Sequence, residues 1–352
     1  MDDDMPIDNT DLLDIPHDPQ PYDIAPPEFL GEMVIPADNP MTIEGVSLGR
    51  HLFSDPILSA DSTQSCSSCH NPARSFTDDL AVSVGIDGIA GTRSSMSLLN
   101  VGYFDRGLFW DGRSATLEEQ ALLPVEDEIE LHNTWPNVID KFKSHPTYPE
   151  MFRKAFDIAD RDDITKELAA KAIAQFERTL VSSGESKWHQ IKYGTGVFPT
   201  DEELNGRDLF FFEAAQTDEH PGCSHPKCHS NTNDLFTSNA YSNNGVDEAS
   251  DFSDFIDKGR GDVTGTPIDN GKFRVPSLHN IALTAPYMHD GRFETLEEVL
   301  DHYSAGGHPS PNVDANIQPF VLTTSQKADL IAFLHALTDT TFTQNPAHQS
   351  PF

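Results

Sequence analysis

Basic residues are scarce in this chain. Its 352 residues carry 23 Lys and Arg against 57 Asp and Glu, a formal net charge of −34. Nucleic acid and anionic membrane surfaces bind through clustered cations, so neither is expected as a partner. A protein partner is expected to be neutral or basic where it touches, although acidity of this size also serves solubility alone. Long apolar runs are missing as well: 37% of the residues are hydrophobic, yet no stretch nears the ~20 apolar residues that a membrane-spanning helix needs. The start, Met1-Asp2-Asp3-Asp4, is acidic where an export signal would be basic and then apolar. Cysteine is limited to four residues and tryptophan to three, which excludes a disulfide-dense scaffold.

All four cysteines fall in two clusters, Cys66-Ser67-Ser68-Cys69-His70 and Cys223-Ser224-His225-Pro226-Lys227-Cys228-His229. In covalent haem attachment two thiols add across the vinyl groups, and the histidine directly after the second cysteine becomes the proximal iron ligand. The first cluster has that spacing and the second has a longer spacer. A zinc site wants four tetrahedral ligands, and each cluster offers two thiolates and a histidine. A disulfide in each cluster leaves both trailing histidines without a purpose. Two covalently bound c-type haems are the preferred reading, held by Cys66, Cys69 and His70 and by Cys223, Cys228 and His229.

An internal repeat supports this. Leu48 to Phe53 and Leu204 to Phe210 read as short helices, each with a haem cysteine thirteen residues beyond its phenylalanine. Ser97-Leu98-Leu99-Asn100 leads to Asp111-Gly112-Arg113, as Ser277-Leu278-His279-Asn280 leads to Asp290-Gly291-Arg292. A Thr-Leu-Glu-Glu follows each Asp-Gly-Arg, at Thr116 and Thr295, and both are expected to be capping boxes that start a helix. The fold class is therefore mainly α, two haem domains in tandem with long loops. Eight residues after the capping threonines the copies differ, with Pro124 in one and Tyr303 in the other. A phenolate can ligate haem iron and proline cannot, so one haem would be open and the other closed. Gln120 lies one helical turn before Pro124. Glu130 follows in the loop, where a carboxylate can move a proton on bound peroxide; its acidic neighbours also fit a plain solvated run.

Phe109-Trp110-Asp111-Gly112-Arg113, Thr116-Leu117-Glu118-Glu119-Gln120, Val275-Pro276-Ser277-Leu278 and Thr284-Ala285-Pro286-Tyr287-Met288-His289-Asp290-Gly291 carry a resemblance. Over about residues 39–340 the chain resembles the bacterial dihaem cytochrome c peroxidase and MauG family. Residues 1–38 read from their composition as an acidic, proline-rich tail or surface strap; the resemblance implies a cytochrome c-like domain at 39–190 with the peroxide-reactive haem, and a second at 191–345 with the electron-transfer haem. His70 would hold the first iron, Gln120, Pro124 and Glu130 its distal pocket, and Trp110 the space between the haems. His229 and Tyr303 would bind the second iron, with Met288 the competing ligand. Tyrosine at that position is the MauG-like pattern, where peroxidases carry methionine. Residues 80–93 contain no histidine and have Ile86 near the point where peroxidases often carry a distal one, so the first haem is expected to be open before any reduction.

The resemblance further implies a calcium ion held by Thr284, Pro286 and the position of Ser94, where the family usually has asparagine. It also implies hydrogen peroxide as oxidant and an exported, periplasmic location, with the signal peptide removed. The expected function is peroxide-driven oxidation of an aromatic side chain on a protein partner. The alternative is reduction of peroxide to water with electrons from a small redox protein. A plain dihaem electron carrier is a further reading, one in which Glu130 would be idle. Trp135 and Trp188 read chiefly as core, and as surface exits for electron holes only secondarily.

Overall fold

The computed structural model describes residues 11–211, 222–230 and 234–352. Met1 to Asp4, read above for an export signal, and residues 231–233 lie outside them; the latter open the run 231–271, whose Asn, Asp, Ser and Gly read as a long loop around the second haem. Among the described residues the helices are α1 (Ile43–Ser54), α2 (Cys66–Cys69), α3 (Leu117–Glu126), α4 (Trp135–Ser144), α5 (Tyr148–Ala155), α6 (Lys166–Arg178), α7 (Lys187–Lys192), α8 (Asp201–Phe210), α9 (Arg260–Thr264), α10 (Leu296–Ser304), α11 (Thr324–Ala336) and α12 (Thr340–Gln344). The sheet content is one antiparallel ribbon, β1 (Tyr241–Ser242) with β2 (Phe273–Arg274). No helix among the described residues is long and apolar enough to cross a membrane.

Helix starts follow local chemistry. Thr42, Thr116, Thr165, Thr200, Thr295 and Thr323 each accept a hydrogen bond from an amide of the first turn, which satisfies a donor that the helix leaves free. The expected capping box is complete at Thr295, where Glu298 reaches back to the Thr295 amide at 3.0 Å. At Thr116 it is not. Glu119 there accepts from Ala115 N at 2.8 Å, the contact that Glu298 also makes with Glu294 N at 2.7 Å.

The two copies repeat one packing device. α1 crosses α6 and α8 crosses α11. A Cβ on Gly49 would lie 1.9 Å from the Ala172 carbonyl, and one on Gly206 would lie 1.9 Å from the Asp329 carbonyl. Only glycine lets the backbones approach so closely. The close crossing then buries Leu48, Leu52 and Phe53 in the first copy and Leu209 and Phe210 in the second. Each large side chain so buried contributes roughly 1.5–3 kcal/mol.

Two apolar cores result. One gathers Phe53, Phe76, Phe142, Phe152 and Phe176, and the other Phe210, Phe236, Leu330 and Phe333. The last segment crosses between them: Phe342 of α12 is buried in the first core, and Arg50 donates to the carbonyls of Gln349 and Pro346 at 2.8 and 2.7 Å. The second half expected at 191–345 thus has a continuation that belongs to the first core, since Pro346 and Gln349 bind Arg50. The proline-rich segment from residue 11 runs along the surface, bridged to Asp160 and Thr42 and pinned by buried Leu12 and Leu30. Trp135 and Trp188 are 2% and 9% exposed, so both are core and neither is a surface exit.

Candidate haem sites and the ground between them

α2 is a single turn that presents Cys66 and Cys69, and His70 ends it. The His70 Nδ1 lies 2.8 Å from the Phe76 carbonyl. A carbonyl only accepts, so Nδ1 carries the proton and Nε2 is left with a free lone pair, as a metal ligand requires. His229 repeats the arrangement, with Nδ1 3.3 Å from Phe236 O and 3.1 Å from Pro276 O. Burial lowers both imidazoles, His229 to about 4, so both are neutral at physiological pH. The longer spacer at Cys223 therefore leaves His229 in the matching role.

All four cysteines are free, so the disulfide alternative is not realised. Among the described residues no group of three or more His, Cys, Asp and Glu converges to hold a metal ion, so the zinc alternative lacks a ligand set. A cavity of about 190 Å³ opens beside Cys223, Cys228 and His229, walled by Leu296, Leu300, Phe320, Leu330 and Leu334. Apolar walls with two thiols at one edge and a neutral imidazole beneath suit a haem. Beside Cys66 a second sign appears. Glu177 is 4% exposed, and its Oε2 has no hydrogen-bond partner. After burial itself, this carboxyl is the largest influence raising the Cys66 thiol. An orphaned buried oxygen of this kind is what a cleft shows when the polar-edged group it was built for is absent.

At the first site Gln120 and Pro124 lie one turn apart on α3, and Pro124 sits inside the helix. Proline has no amide hydrogen to give to Gln120 O, and α3 ends two residues later. The Glu130 carboxyl is pushed up to about 7, by burial first and by Asp127 second, against the opposing pull of Arg113. It keeps exposed surface while its charge bears on both Cys66 and Cys69, as expected of a side chain at the rim of a haem cleft. The run Glu126–Glu128 thus does not make Glu130 an ordinary surface acid. No histidine intrudes from residues 80–93: Ile86 donates its amide to Glu130 O at 3.1 Å.

Tyr303 and Met288 both face the second cleft. The Asn244 amide lies 3.2 Å from the Tyr303 phenol oxygen and 3.3 Å from the Met288 sulfur, so both candidate ligands converge on one spot. Burial pushes the Tyr303 phenol up to about 12; bound iron would reverse that direction. Trp110 borders this cleft and also a smaller cavity of about 80 Å³ lined by Ser95, whose hydroxyl donates to Cys69 O at 2.7 Å. Trp110 Nε1 donates to Ser94 O at 2.9 Å, and Ser94 N donates to His289 O at 2.7 Å. The two repeat-related aromatic turns therefore meet at Ser94. Thr284, Pro286 and Ser94 line the same small cavity, but the Ser94 hydroxyl already donates to Met288 O at 2.9 Å.

Three residues of these sites were missed in the sequence. Arg113 stacks on Phe109 with 3.4 Å to the ring centroid, pairs with Asp111 and partly opposes the upward push on Glu130. Asn244 comes from a loop with no repeat signal, and Glu177 hid in a helix read only as packing. The repeated Asp-Gly-Arg was the signal for Arg113; nothing local marks the other two.

Residues 43–196 match the family model described as "Di-haem cytochrome c peroxidase". The methylamine utilization protein MauG of Methylorubrum extorquens is 34% identical over 304 residues, 86% of this chain and 80% of that protein. The cytochrome-c peroxidase IdrP1 of Denitromonas iodatirespirans is 32% identical over 332 residues, 87% of this chain and 84% of that one. The crystal structure of a MauG-like protein associated with microbial copper homeostasis matches with a TM-score of 0.82 and 34% identity, over 94% of this chain and 99% of that one. The helical fold and these relatives agree: the chain belongs to the dihaem cytochrome c peroxidase and MauG family, oxidoreductases that use hydrogen peroxide.

Proposed function

We propose that this chain is a MauG-like enzyme that uses peroxide to oxidise an aromatic side chain of a protein partner. The observation that carries the reading is the pair of matched positions, Pro124 in the first copy and Tyr303 in the second, with Tyr303 at the cleft of His229. Two cytochrome c-like domains, 39–190 and 191–345 after a tail at 1–38, each hold a haem by thioethers to Cys66 and Cys69 and to Cys223 and Cys228. Bound haem supplies redox chemistry; the chain supplies its setting. His70 and His229 would hold the irons as neutral Nε2 donors. Tyr303 would ligate the second iron, with Asn244 donating to its oxygen, and Met288 is the competing ligand.

The first distal side is left open by Pro124, with Gln120 beside it. Glu130, titrating near neutrality, takes a proton from the inner oxygen of peroxide and returns it to the outer one. Trp110 carries electrons between the haem pockets, supported by its place against both cavities. Calcium is proposed at the carbonyls of Thr284 and Pro286, with Ser94 contributing through water, since its hydroxyl is engaged. The partner is neutral or basic at the contact, and the location is periplasmic.

A test is to replace Tyr303 by Met and by His and measure haem content, then the response to one equivalent of peroxide. The reading predicts that haem content stays intact and the response of the second haem is lost. An unchanged response in both variants sinks Tyr303 as ligand. It would favour the second reading, peroxide removal with electrons from a small redox protein, for which Met288 at the same spot is the observation.

A further inference from the structure

Neither buried tryptophan offers a way out of the second haem pocket, but another aromatic does. Tyr193 is 49% exposed, and its phenol donates to the Asp234 carboxylate. Asp234 is 3% exposed, and two residues further along the chain the carbonyl of Phe236 accepts from His229 Nδ1 at 3.3 Å. A short path of two hydrogen bonds and three residues of backbone thus joins a surface phenol to the ring placed under the second iron. A stack of planar rings runs beside it. Tyr193 lies on Phe29 with 5.1 Å between centroids, Phe29 on His189 at 4.4 Å, and His189 on His279 at 5.2 Å, each pair within 11° of parallel. His279 meets Phe236 edge-on at 5.6 Å, and its Nε2 donates to the Asp234 carbonyl.

We propose that Tyr193 is the surface exit through which oxidising equivalents leave the second haem for a protein partner. This rests on the reading of His229 as ligand of that haem. In each step the phenol loses one electron to the peroxide-oxidised haem pair, and its proton moves to Asp234. The neutral tyrosyl then takes an electron from the partner and recovers the proton from Asp234. Two such steps match the two electrons that one peroxide accepts. Asp234 suits the task, since it already receives the phenol hydrogen and is paired with Lys192. Phe29, His189 and His279 hold the route rigid, and Phe29 is delivered by the proline-rich strap, which gives that segment a purpose.

The test is to treat the dihaem protein with one equivalent of peroxide and a nitroso spin trap, then map adducts by mass spectrometry. Tyr193→Phe, which keeps the stack and removes the hydroxyl, and Asp234→Asn are compared in parallel. The proposal expects an adduct at Tyr193, its loss in Tyr193→Phe with the peroxide-induced haem spectrum unchanged, and its loss or marked reduction in Asp234→Asn. Haems that respond while the adducts lie elsewhere, with Tyr193→Phe relaxing at the wild-type rate, overturn the exit and leave the parent reading standing. Haems that ignore peroxide overturn both.

Discussion

At the first proposed haem site, Glu130 and Arg113 are where single side chains can be tested. A carboxyl at about 7 is protonated below neutrality and ionised above it. If its ionised form takes the proton from peroxide, the rate of the first spectral change rises as pH passes through about 7 and then levels. Glu130→Gln is expected to slow that change by roughly 10²–10⁴-fold and to flatten the profile; stopped-flow absorption across pH 5.5–8.5, about the span of the titration, reads both. Arg113→Ala removes the opposing pull, so the midpoint moves upward. Trp110→Phe removes the indole donor to Ser94 and should leave the first haem responsive while the second lags. The proposed ligand residues stood out in the sequence because attachment chemistry fixes order along the chain. Arg113, Asn244 and Glu177 were not, because their neighbours Glu130, Tyr303 and Cys66 arrive from distant segments.

The helix crossings make predictions of their own. Gly49→Ala and Gly206→Ala each drive a Cβ into a carbonyl 1.9 Å away, so each should destabilise by about 1–3 kcal/mol through overpacking, seen as a lower melting temperature. Comparable losses from both would mark the crossings as equivalent. Glu177 adds a pH term to α6. Its carboxyl is pushed up to about 8, by burial first, with Arg178 opposing and Glu118 adding. The folded state therefore holds a proton that the unfolded chain releases from about pH 4.3 upward, so stability falls as pH rises between those values. In Glu177→Gln that part of the slope should vanish in melting curves taken from pH 5 to 8. The repeat was readable in these elements since the same glycine and the same capping threonine recur in register. The missing return bond to the Thr116 amide was not, because a glutamate's reach depends on how the preceding loop turns.

Across the whole molecule the net charge of −34 sets how partners approach. Attraction of a basic protein to such a surface is screened by salt, so its association rate should fall steeply with ionic strength. A partner whose rate ignores salt contradicts the charge reading. The clasp of α12 and the run after it onto the first core escaped the sequence, since the repeat itself predicts separate halves. Phe342 has no counterpart to signal where it goes. The surface strap was legible from its composition, but its delivery of Phe29 to the His189 stack was not.

The central claim is an open first haem coupled to a second one closed by Tyr303. The most direct measurement is the absorption spectrum of the ferric protein before and after one equivalent of hydrogen peroxide, with no reductant added. The account predicts a mixed high-spin and low-spin start and a rapid change at both haems. A purely low-spin spectrum that ignores peroxide until one haem is reduced would contradict it.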